Sequence, residues 1–222
     1  MPYRSRAMSG PFDTIAREYD AWYDSVEGAA IFAEEVEALL LVKGRAPGRW
    51  LEVGVGTGRF ASALGVSEGI DPSLEMLALS AARGISTRHG VAESLPYGDS
   101  EFDGALFVVT LCFVESPARA FQECTRVLRP KGSCVVGIVP ASSPWGQEYQ
   151  RKAEAGHAVY SHATFFSVQE VVRLAAGCGL MLQDAASALL WGPSESQAPD
   201  VRVVRGARPD AGFVALRFER TS

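Results

Sequence analysis

The chain has 222 residues, 47% of them hydrophobic, and its 21 basic side chains are outnumbered by 26 acidic ones, giving a formal net charge of −5. A chain of this size predicts one well-buried domain, and the acidic balance argues against a nucleic-acid partner. The longest apolar run, residues 104–114, is about half of the roughly 20 residues that a membrane-spanning helix requires, which argues against a membrane protein.

The N-terminal residues and the cysteines bear on location and on metal binding. Residues 1–10 lack the apolar segment of a secretory signal, so we interpret them as a flexible tail before a single domain, residues 11–222, in the cytoplasm. The cysteines are scattered, without a C-x-x-C pair or a Cys/His cluster, which argues against a zinc site or a disulfide framework. We therefore predict core thiols and no bound metal. The cysteines are Cys112, Cys124, Cys134 and Cys178.

The segment 11–25 has an aromatic face. Apolar side chains recur there at spacings of three and four residues, which predicts a helix. A second amphipathic helix is predicted over residues 29–41. The aromatic stripe either docks the first helix by burial or forms a lid over a pocket, since Tyr19 and Tyr23 carry hydroxyls that can hydrogen-bond. The stripe consists of Phe12, Ile15, Tyr19, Trp22 and Tyr23.

The middle of the chain alternates between strands and helices. Five predicted strand segments, of which the fourth is strongly apolar, alternate with three helical segments, and a turn is predicted at residues 129–132. This alternation predicts a doubly wound α/β fold with a mostly parallel sheet covered on both faces. The predicted strands are 49–53, 66–70, 86–91, 102–110 and 133–139, and the predicted helices are 59–64, 74–84 and 117–128.

After residue 140 the alternation is interrupted. A polar helical stretch, 143–157, and an aromatic segment, 159–166, together predict an insertion on the substrate side of the sheet, at about residues 141–166. A helix over 167–178 and two final strands, 180–190 and 212–220, follow. The link between those strands, residues 191–211, is interpreted as mobile or as a loop over the active site.

A glycine-rich stretch, residues 51–58, places an apolar strand and an acidic residue before three glycines at alternating positions. Glycines after a strand let main-chain atoms contact a ligand, and the following helix directs its N-terminus at that ligand. A dinucleotide fingerprint started at Gly54 requires its third glycine at position 59, which is Arg59. The stretch also lacks the Lys-Ser/Thr ending of a P-loop. A nucleoside-bearing cofactor without a pyrophosphate is therefore favoured.

Two later segments provide partners for a ribose and a purine. Asp71 ends the second strand, where a carboxylate can accept hydrogen bonds from both ribose hydroxyls; the less favoured interpretation is that it caps the following helix. The loop 90–97 follows the third strand and can meet the edge of a purine with backbone groups and with Glu93.

Together these motifs resemble class I S-adenosylmethionine-dependent methyltransferases, in particular the branch similar to quinone-biosynthesis C-methyltransferases. The resemblance rests on Glu52-Val-Gly-Val-Gly-Thr-Gly58, Gly69-Ile-Asp71-Pro-Ser, Ala92-Glu93-Ser-Leu-Pro96, Phe102-Asp103 and Leu128-Arg-Pro-Lys-Gly132, and it covers residues 12–139. It implies a Rossmann-like seven-stranded sheet whose last strand is antiparallel, with a helical N-terminal lid over residues 11–43.

The resemblance also assigns cofactor contacts. It implies that the glycines line the methionine end, Glu52 supports the amino group, Asp71 holds the ribose, Pro72 and Met76 pack near the adenine, and Ala92 and Glu93 meet its edge. It places Thr110 beside the sulfonium, and Tyr19 matches the lid segment more loosely. The implied cofactor-binding set is Tyr19, Glu52, Gly54, Gly56, Gly58, Asp71, Pro72, Met76, Ala92, Glu93 and Thr110.

Three functions follow from these motifs. The favoured one is methyl transfer from S-adenosylmethionine to a small-molecule acceptor, yielding S-adenosylhomocysteine. A non-catalytic sensor or partner subunit that binds the same cofactor is the alternative, and a nicotinamide dehydrogenase is disfavoured by Arg59. Methyl transfer needs alignment more than a dedicated base. If a base is used, the candidates are His157, His162, Tyr160 and Glu115. The sequence leaves open whether the protein is a monomer or a homodimer.

Overall fold

The computed structural model describes residues 11–44, 47–193 and 202–221. The predicted tail, residues 1–10, and residues 194–201 of the predicted link lie outside this part of the chain. The helices are α1 Pro11–Trp22, α2 Val26–Lys43, α3 Arg59–Leu64, α4 Leu74–Ala82, α5 Pro117–Val127, α6 Pro144–Glu154 and α7 Val168–Gly177. The strands are β1 Trp50–Val53, β2 Glu68–Asp71, β3 Ser86–His89, β4 Phe102–Val108, β5 Leu128–Ile138, β6 Leu180–Ala188, β7 Val203–Arg205 and β8 Phe213–Arg220.

The strands form one sheet in the order β3-β2-β1-β4-β5-β8-β6-β7. Strands β1 to β5 pair in parallel, and β8 is antiparallel to both β5 and β6. The predicted α/β fold with an antiparallel final strand is confirmed. The predicted number of seven strands is wrong, because β7 adds an eighth at the edge, antiparallel to β6. Its three residues are too few to produce a recognisable alternation in the sequence.

The predicted turn at residues 129–132 is also wrong, because β5 begins at Leu128 and runs through this segment. The register shows the reason. Phe102 pairs with Leu128, but Gly104 pairs with Ser133, so the β5 side holds additional residues. Lys131 has a φ of +64°, in the left-handed region. The segment is therefore an irregular bulge within a continuous strand, which the residues Arg-Pro-Lys-Gly do not distinguish from a turn.

Apolar side chains cover both faces of the sheet. Helices α5 and α7 pack on one face through residues such as Phe121 and Val171. Helices α2, α3 and α4 pack on the other, through residues such as Leu39, Phe60 and Leu77. The glycine-rich loop starts at the carboxyl end of β1, directly after Val53. No helix in the described part of the chain is long and apolar enough to cross a bilayer.

Candidate functional site

The three glycines after β1 have distinct surroundings. Gly54, Gly56 and Gly58 have φ angles of +73°, +52° and +81°, a region in which side chains are strained. A methyl group at Gly54 would lie 2.3 Å from Cγ2 of Thr110, and one at Gly58 would lie 2.6 Å from Oγ of Ser80. A methyl group at Gly56 would meet no described atom within 4 Å. The outer glycines thus permit close packing, whereas Gly56 borders open space.

That open space is a cleft between the glycine loop and the N-terminal helices. It brings together the predicted cofactor residues Tyr19, Glu52, Gly54 and Gly56, which come from three different segments. The lining residues are Tyr19, Tyr23, Glu52, Gly54, Val55, Gly56, Thr57, Arg59, Phe60 and Val108.

Glu52 is a buried carboxyl group at the base of the cleft. The residue is 1% exposed, and its Oε2 atom has no hydrogen-bond partner among the described residues. Burial raises its pKa well above the ordinary value of 4.5, the N–H of Ala61 offsets this only in part, and the charge of Asp71 raises the pKa further. A buried polar atom without a partner is costly unless a ligand satisfies it. The environment therefore favours a bound cationic donor.

Asp71 ties the glycine loop to β2. Its Oδ2 accepts a hydrogen bond from the N–H of Gly56 at 2.9 Å, and its Oδ1 accepts one from the N–H of Ser73 at 2.9 Å. The cap of α4 is provided by Ser73, whose Oγ accepts from the N–H of Met76 at 3.2 Å. Asp71 therefore fixes the loop rather than capping α4 with its own side chain. Burial raises its pKa above the ordinary value.

Thr110 lies two residues after β4 and packs against Gly54 of the glycine loop. Its hydroxyl donates to the carbonyl of Gly54 at 3.3 Å and lies 3.1 Å from the carbonyl of Val108. Val109 has a φ of +50°, which is unusual for a β-branched residue and occurs mostly where function constrains the backbone. This turn of the backbone brings Thr110 onto the glycine loop.

The remaining predicted cofactor residues do not line the cleft. Pro72 is exposed at the start of the β2–α4 connection, and Met76 is buried in the first turn of α4. Ala92 is buried after β3, and the Oε1 of Glu93 accepts a hydrogen bond from the N–H of Ser116 at 3.1 Å.

Comparisons with known proteins agree with this geometry. A family model described as a methyltransferase domain matches residues 51–136. An uncharacterised protein of Methanocaldococcus jannaschii is 36% identical over 210 residues, covering 94% of this chain and 98% of the relative. One of Mycobacterium tuberculosis is 39% identical over 202 residues, covering 90% and 70%.

A solved structure is also closely similar to this chain. It comes from Thermotoga maritima and is described as a SAM-dependent methyltransferase and possible histamine N-methyltransferase. It is 35% identical, has a TM-score of 0.85, and is matched over 95% of this chain and 99% of its own. The chain belongs to the class I S-adenosylmethionine-dependent methyltransferases.

In this methyltransferase, α1 is held to the glycine loop by a cluster of Asp20, Arg59 and Arg83. The Asp20 carboxylate accepts from Nε of Arg59 and from Nη2 of Arg83, each at 2.8 Å, and Arg83 also donates to the carbonyl of Thr57 at 2.9 Å. Asp24 adds a second ion pair to Arg59 at 2.9 Å. Arg59, which stands where a dinucleotide fingerprint would have its third glycine, thus anchors α1 beside the cleft.

Replacing Asp20 with Asn is expected to loosen α1 without unfolding the methyltransferase. Burial opposes the charge of Asp20, but hydrogen bonds from Arg59 and Arg83 outweigh it and lower its pKa from 3.8 to about 2. The stabilisation is therefore present above pH 3.8 and is lost as pH falls through about 2. At neutral pH, amide exchange in α1 should accelerate by roughly 5- to 150-fold, the equivalent of about 1–3 kcal/mol, as measured by hydrogen–deuterium exchange.

Asp24→Asn is the matched control for this experiment, because the Asp24 side chain is 69% exposed and makes one ion pair. Asp24→Asn should have little effect on the rate of amide exchange in α1. Equal acceleration by both substitutions, or by neither, would contradict a specific role for Asp20.

The methyltransferase places the candidate acid–base residues in different environments. His157, His162 and Glu115 are exposed. The Nδ1 of His157 accepts from the N–H of Val159 at 3.2 Å, a local structural contact. Tyr160 is half-buried and stacks on Tyr149, with ring centroids 4.4 Å apart. The ring of His157 also packs on Tyr160, with centroids 4.6 Å apart, so Tyr160 lies between His157 and Tyr149.

Sequence reasoning missed three residues of this region. Asp20 and Arg83 were not recognised, because their pairing depends on the packing of α1 against α4. Glu35 was also missed, although a signal for it exists. It lies four residues after Ile31 and four before Leu39, within the buried stripe of α2, where a carboxylate is unusual.

Proposed function

We propose that this methyltransferase transfers a methyl group from S-adenosylmethionine to a small-molecule acceptor and releases S-adenosylhomocysteine. The observation that carries the proposal is the pairing of a side-chain-free position, Gly56, with the unpartnered carboxyl oxygen of Glu52 in one cleft. Gly56 leaves space for a ligand against the backbone, and Glu52 offers that ligand an acceptor for a cationic group. The residues present therefore fit a cofactor that carries an amino group.

Each residue of the cleft has a proposed part in binding. Glu52 accepts from the amino group of the cofactor. Asp71 receives the ribose hydroxyls, because each of its oxygens uses one lone pair on a backbone N–H and retains another. Contacts with the adenine are assigned to Pro72, Met76, Ala92 and Glu93. Tyr19 and Thr110 border the methionine side, together with Gly54, Gly56 and Gly58.

When bound, the cofactor supplies a methyl group activated by a positive sulfur. The protein's contribution is to align the acceptor and to exclude water, and proximity and orientation provide about 7–11 kcal/mol of the barrier reduction in well-aligned reactions. Residues 11–43 act as a lid in this proposal, and residues 141–166 form the acceptor side. Phe12 of α1 contacts Phe113 edge-on, with centroids 4.9 Å apart, so the proposed lid packs on the segment that follows β4.

The proposal also includes the sequence-based expectations about domain organisation, location and partners. These are one methyltransferase domain, a cytoplasmic location, a monomer or homodimer, and no nucleic-acid or membrane partner. The alternative is a sensor or partner subunit that binds the same cofactor without turnover. We favour an enzyme because the similar Thermotoga maritima protein is described as a methyltransferase.

The test combines binding and turnover. Titration calorimetry should show S-adenosylhomocysteine binding and no NAD binding. Incubation of the protein with methyl-labelled S-adenosylmethionine and a metabolite extract should transfer label to a small molecule. Cofactor binding without transfer across broad acceptor pools would favour the sensor. NAD binding without S-adenosylhomocysteine binding would overturn the proposal.

A further inference from the structure

The connection between β3 and β4 begins with a tight turn, residues 91–94, which lies beside Asp71. The backbone N–H of Ser94 donates to the carbonyl of Val91 at 3.2 Å, and the same two residues form an isolated β-bridge. The N–H of Gly90, directly before the turn, donates to the carbonyl of Asp71 at 3.2 Å. The turn therefore starts next to the residue that the proposed function assigns to the ribose.

The corner of the 91–94 turn is formed by Ala92 and Glu93, to which contacts with the adenine are assigned above. Ala92 is buried, and Oε1 of Glu93 accepts a hydrogen bond from the N–H of Ser116, the N-cap residue of α5, at 3.1 Å. A carboxylate has more lone pairs than this single bond uses, so Glu93 retains acceptors for a ligand. The position of these acceptors depends on α5.

Helix α5 also holds the residue that follows the turn, through two side chains at positions i and i+3. Oε2 of Glu123 accepts from the N–H of Leu95 at 2.7 Å, and Nη2 of Arg126 donates to the carbonyl of Leu95 at 3.0 Å. The two side chains also bind each other, because Nε of Arg126 donates to Oε1 of Glu123 and Nη2 donates to Oε2, each at 2.8 Å. We call this ion pair, Glu123 and Arg126, the α5 clamp.

All five N–H donors of the Arg126 guanidinium are engaged. The two on Nη1 donate to the carbonyl of Tyr97 and to Oδ1 of Asp99, each at 2.8 Å, and the other three are those of the α5 clamp. Arginine carries its five donors in a fixed planar arrangement, which a lysine cannot reproduce. Rotation of the group would break several hydrogen bonds at once, so the orientation of Arg126 and the path of residues 95–99 are fixed together.

The 91–94 turn is thus held on three sides. Its start is bonded to the end of β2, its corner to the first residue of the α5 cap, and its end to the α5 clamp. Hydrogen-bonding groups recognise a ligand only when the surrounding residues hold them to within about 0.5 Å of the productive position. The clamp provides such support for the corner residues without itself being assigned to the ligand.

We propose that Glu123 and Arg126 are positioning residues that set the base specificity of the cofactor site by holding the 91–94 turn against the adenine edge. The inference rests on the methyltransferase function proposed above and adds to it two residues of α5. The remaining acceptors of Glu93 receive the exocyclic amino group of adenine. A hypoxanthine base has a carbonyl oxygen at that position, which a carboxylate repels. Without the clamp the turn shifts, and the distinction between the two bases decreases.

The test measures the preference between two ligands that differ in the base, S-adenosylhomocysteine and S-inosylhomocysteine, by titration calorimetry. Wild type should bind S-adenosylhomocysteine at least about tenfold more tightly, because a site built to accept a hydrogen bond from a ligand rejects an analogue that lacks the donor. Arg126→Lys keeps the charge but replaces five fixed donors with three. It should weaken S-adenosylhomocysteine binding by about tenfold and leave the affinity for S-inosylhomocysteine nearly unchanged.

Arg129→Lys is the matched control. Arg129 also forms an ion pair, with Asp103 at 2.6 Å, but its side chain is 48% exposed and its partner lies on β4, outside the turn. This variant should keep the wild-type preference. If Arg126→Lys does not fold, as judged by circular dichroism, Glu123→Gln takes its place and should reduce the preference in the same direction, because an amide cannot accept both hydrogen bonds from Arg126.

The ratio of the two affinities separates a positioning role from a purely structural one. Equal loss of affinity for both ligands in the folded variant would show that the clamp only stabilises the fold, and would overturn the inference. An unchanged preference in the variant, or no preference in wild type, would also overturn it. Failure of wild type to bind S-adenosylhomocysteine would instead refute the proposed function, so the two failures are distinguishable.

Discussion

Replacing Gly56 with Ala is expected to weaken S-adenosylhomocysteine binding by roughly 5- to 150-fold while the protein still folds. The φ of +52° costs an alanine about 1–2 kcal/mol, and no described atom obstructs its methyl group. The methyl group would occupy the space at the cleft that Gly56 leaves open. Steric overlap in a packed site costs about 1–3 kcal/mol, which corresponds to this range of affinity. Titration calorimetry on the purified variant measures the effect directly.

Gly65 provides a matched control for this substitution. It also has a left-handed φ, +67°, and a methyl group there meets no described atom within 4 Å. It ends α3, at the opposite end of that helix from the glycine loop. Gly65→Ala should therefore lower the free energy of unfolding about as much as Gly56→Ala and leave cofactor affinity unchanged. Equal loss of affinity in both variants would show that backbone strain, and not the cleft, explains the effect of Gly56→Ala.

The sequence predicts those parts of the site whose residues form a short, local pattern in the chain. The glycine loop and Asp71 are recognised because the strand, the glycines and the carboxylate follow one another at the ends of adjacent parallel strands. The structure then joins them through the hydrogen bond from the N–H of Gly56 to Asp71. The order of the longer strands and helices is predicted for the same reason, since these elements are long enough to show their own period, whereas the three-residue β7 is not.

The parts that were missed depend on packing between distant segments. Asp20 reaches Arg83 across 63 positions of sequence, and neither residue is distinctive alone. Glu34 and Glu35 are neighbours on one helix, yet the fold gives Glu34 hydrogen bonds from Leu189 and Trp191 and gives Glu35 none from the described residues. The donors to Glu34 lie just after β6, more than 150 positions away in the sequence, so no local pattern in α2 identifies Glu34 as the structural residue.

Replacing Glu52 with Gln is expected to stabilise the ligand-free protein and to weaken cofactor binding. Burial raises the pKa of Glu52 in the folded state above its ordinary value of 4.5. The stabilising effect of its proton is therefore complete below pH 4.5 and is lost as pH rises through the folded pKa. Glutamine has nearly the same shape and never ionises. The free energy of unfolding of the variant should accordingly exceed that of wild type increasingly as pH rises above 4.5, as measured by urea denaturation.

Cofactor binding should change in the opposite direction, because an amide cannot balance the charge of an amino group. A hydrogen bond to a charged partner contributes about 1.5–3 kcal/mol, so affinity for S-adenosylhomocysteine should fall by roughly 10- to 150-fold. Wild-type affinity should also rise with pH as Glu52 ionises, and the Gln variant should lack this rise. Glu68→Gln is the control, because Glu68 lies at the start of β2, where it pairs with Arg49 away from the cleft. The Glu52→Gln protein could instead be more stable and bind S-adenosylhomocysteine with unchanged affinity. That result would show that Glu52 takes no part in cofactor recognition.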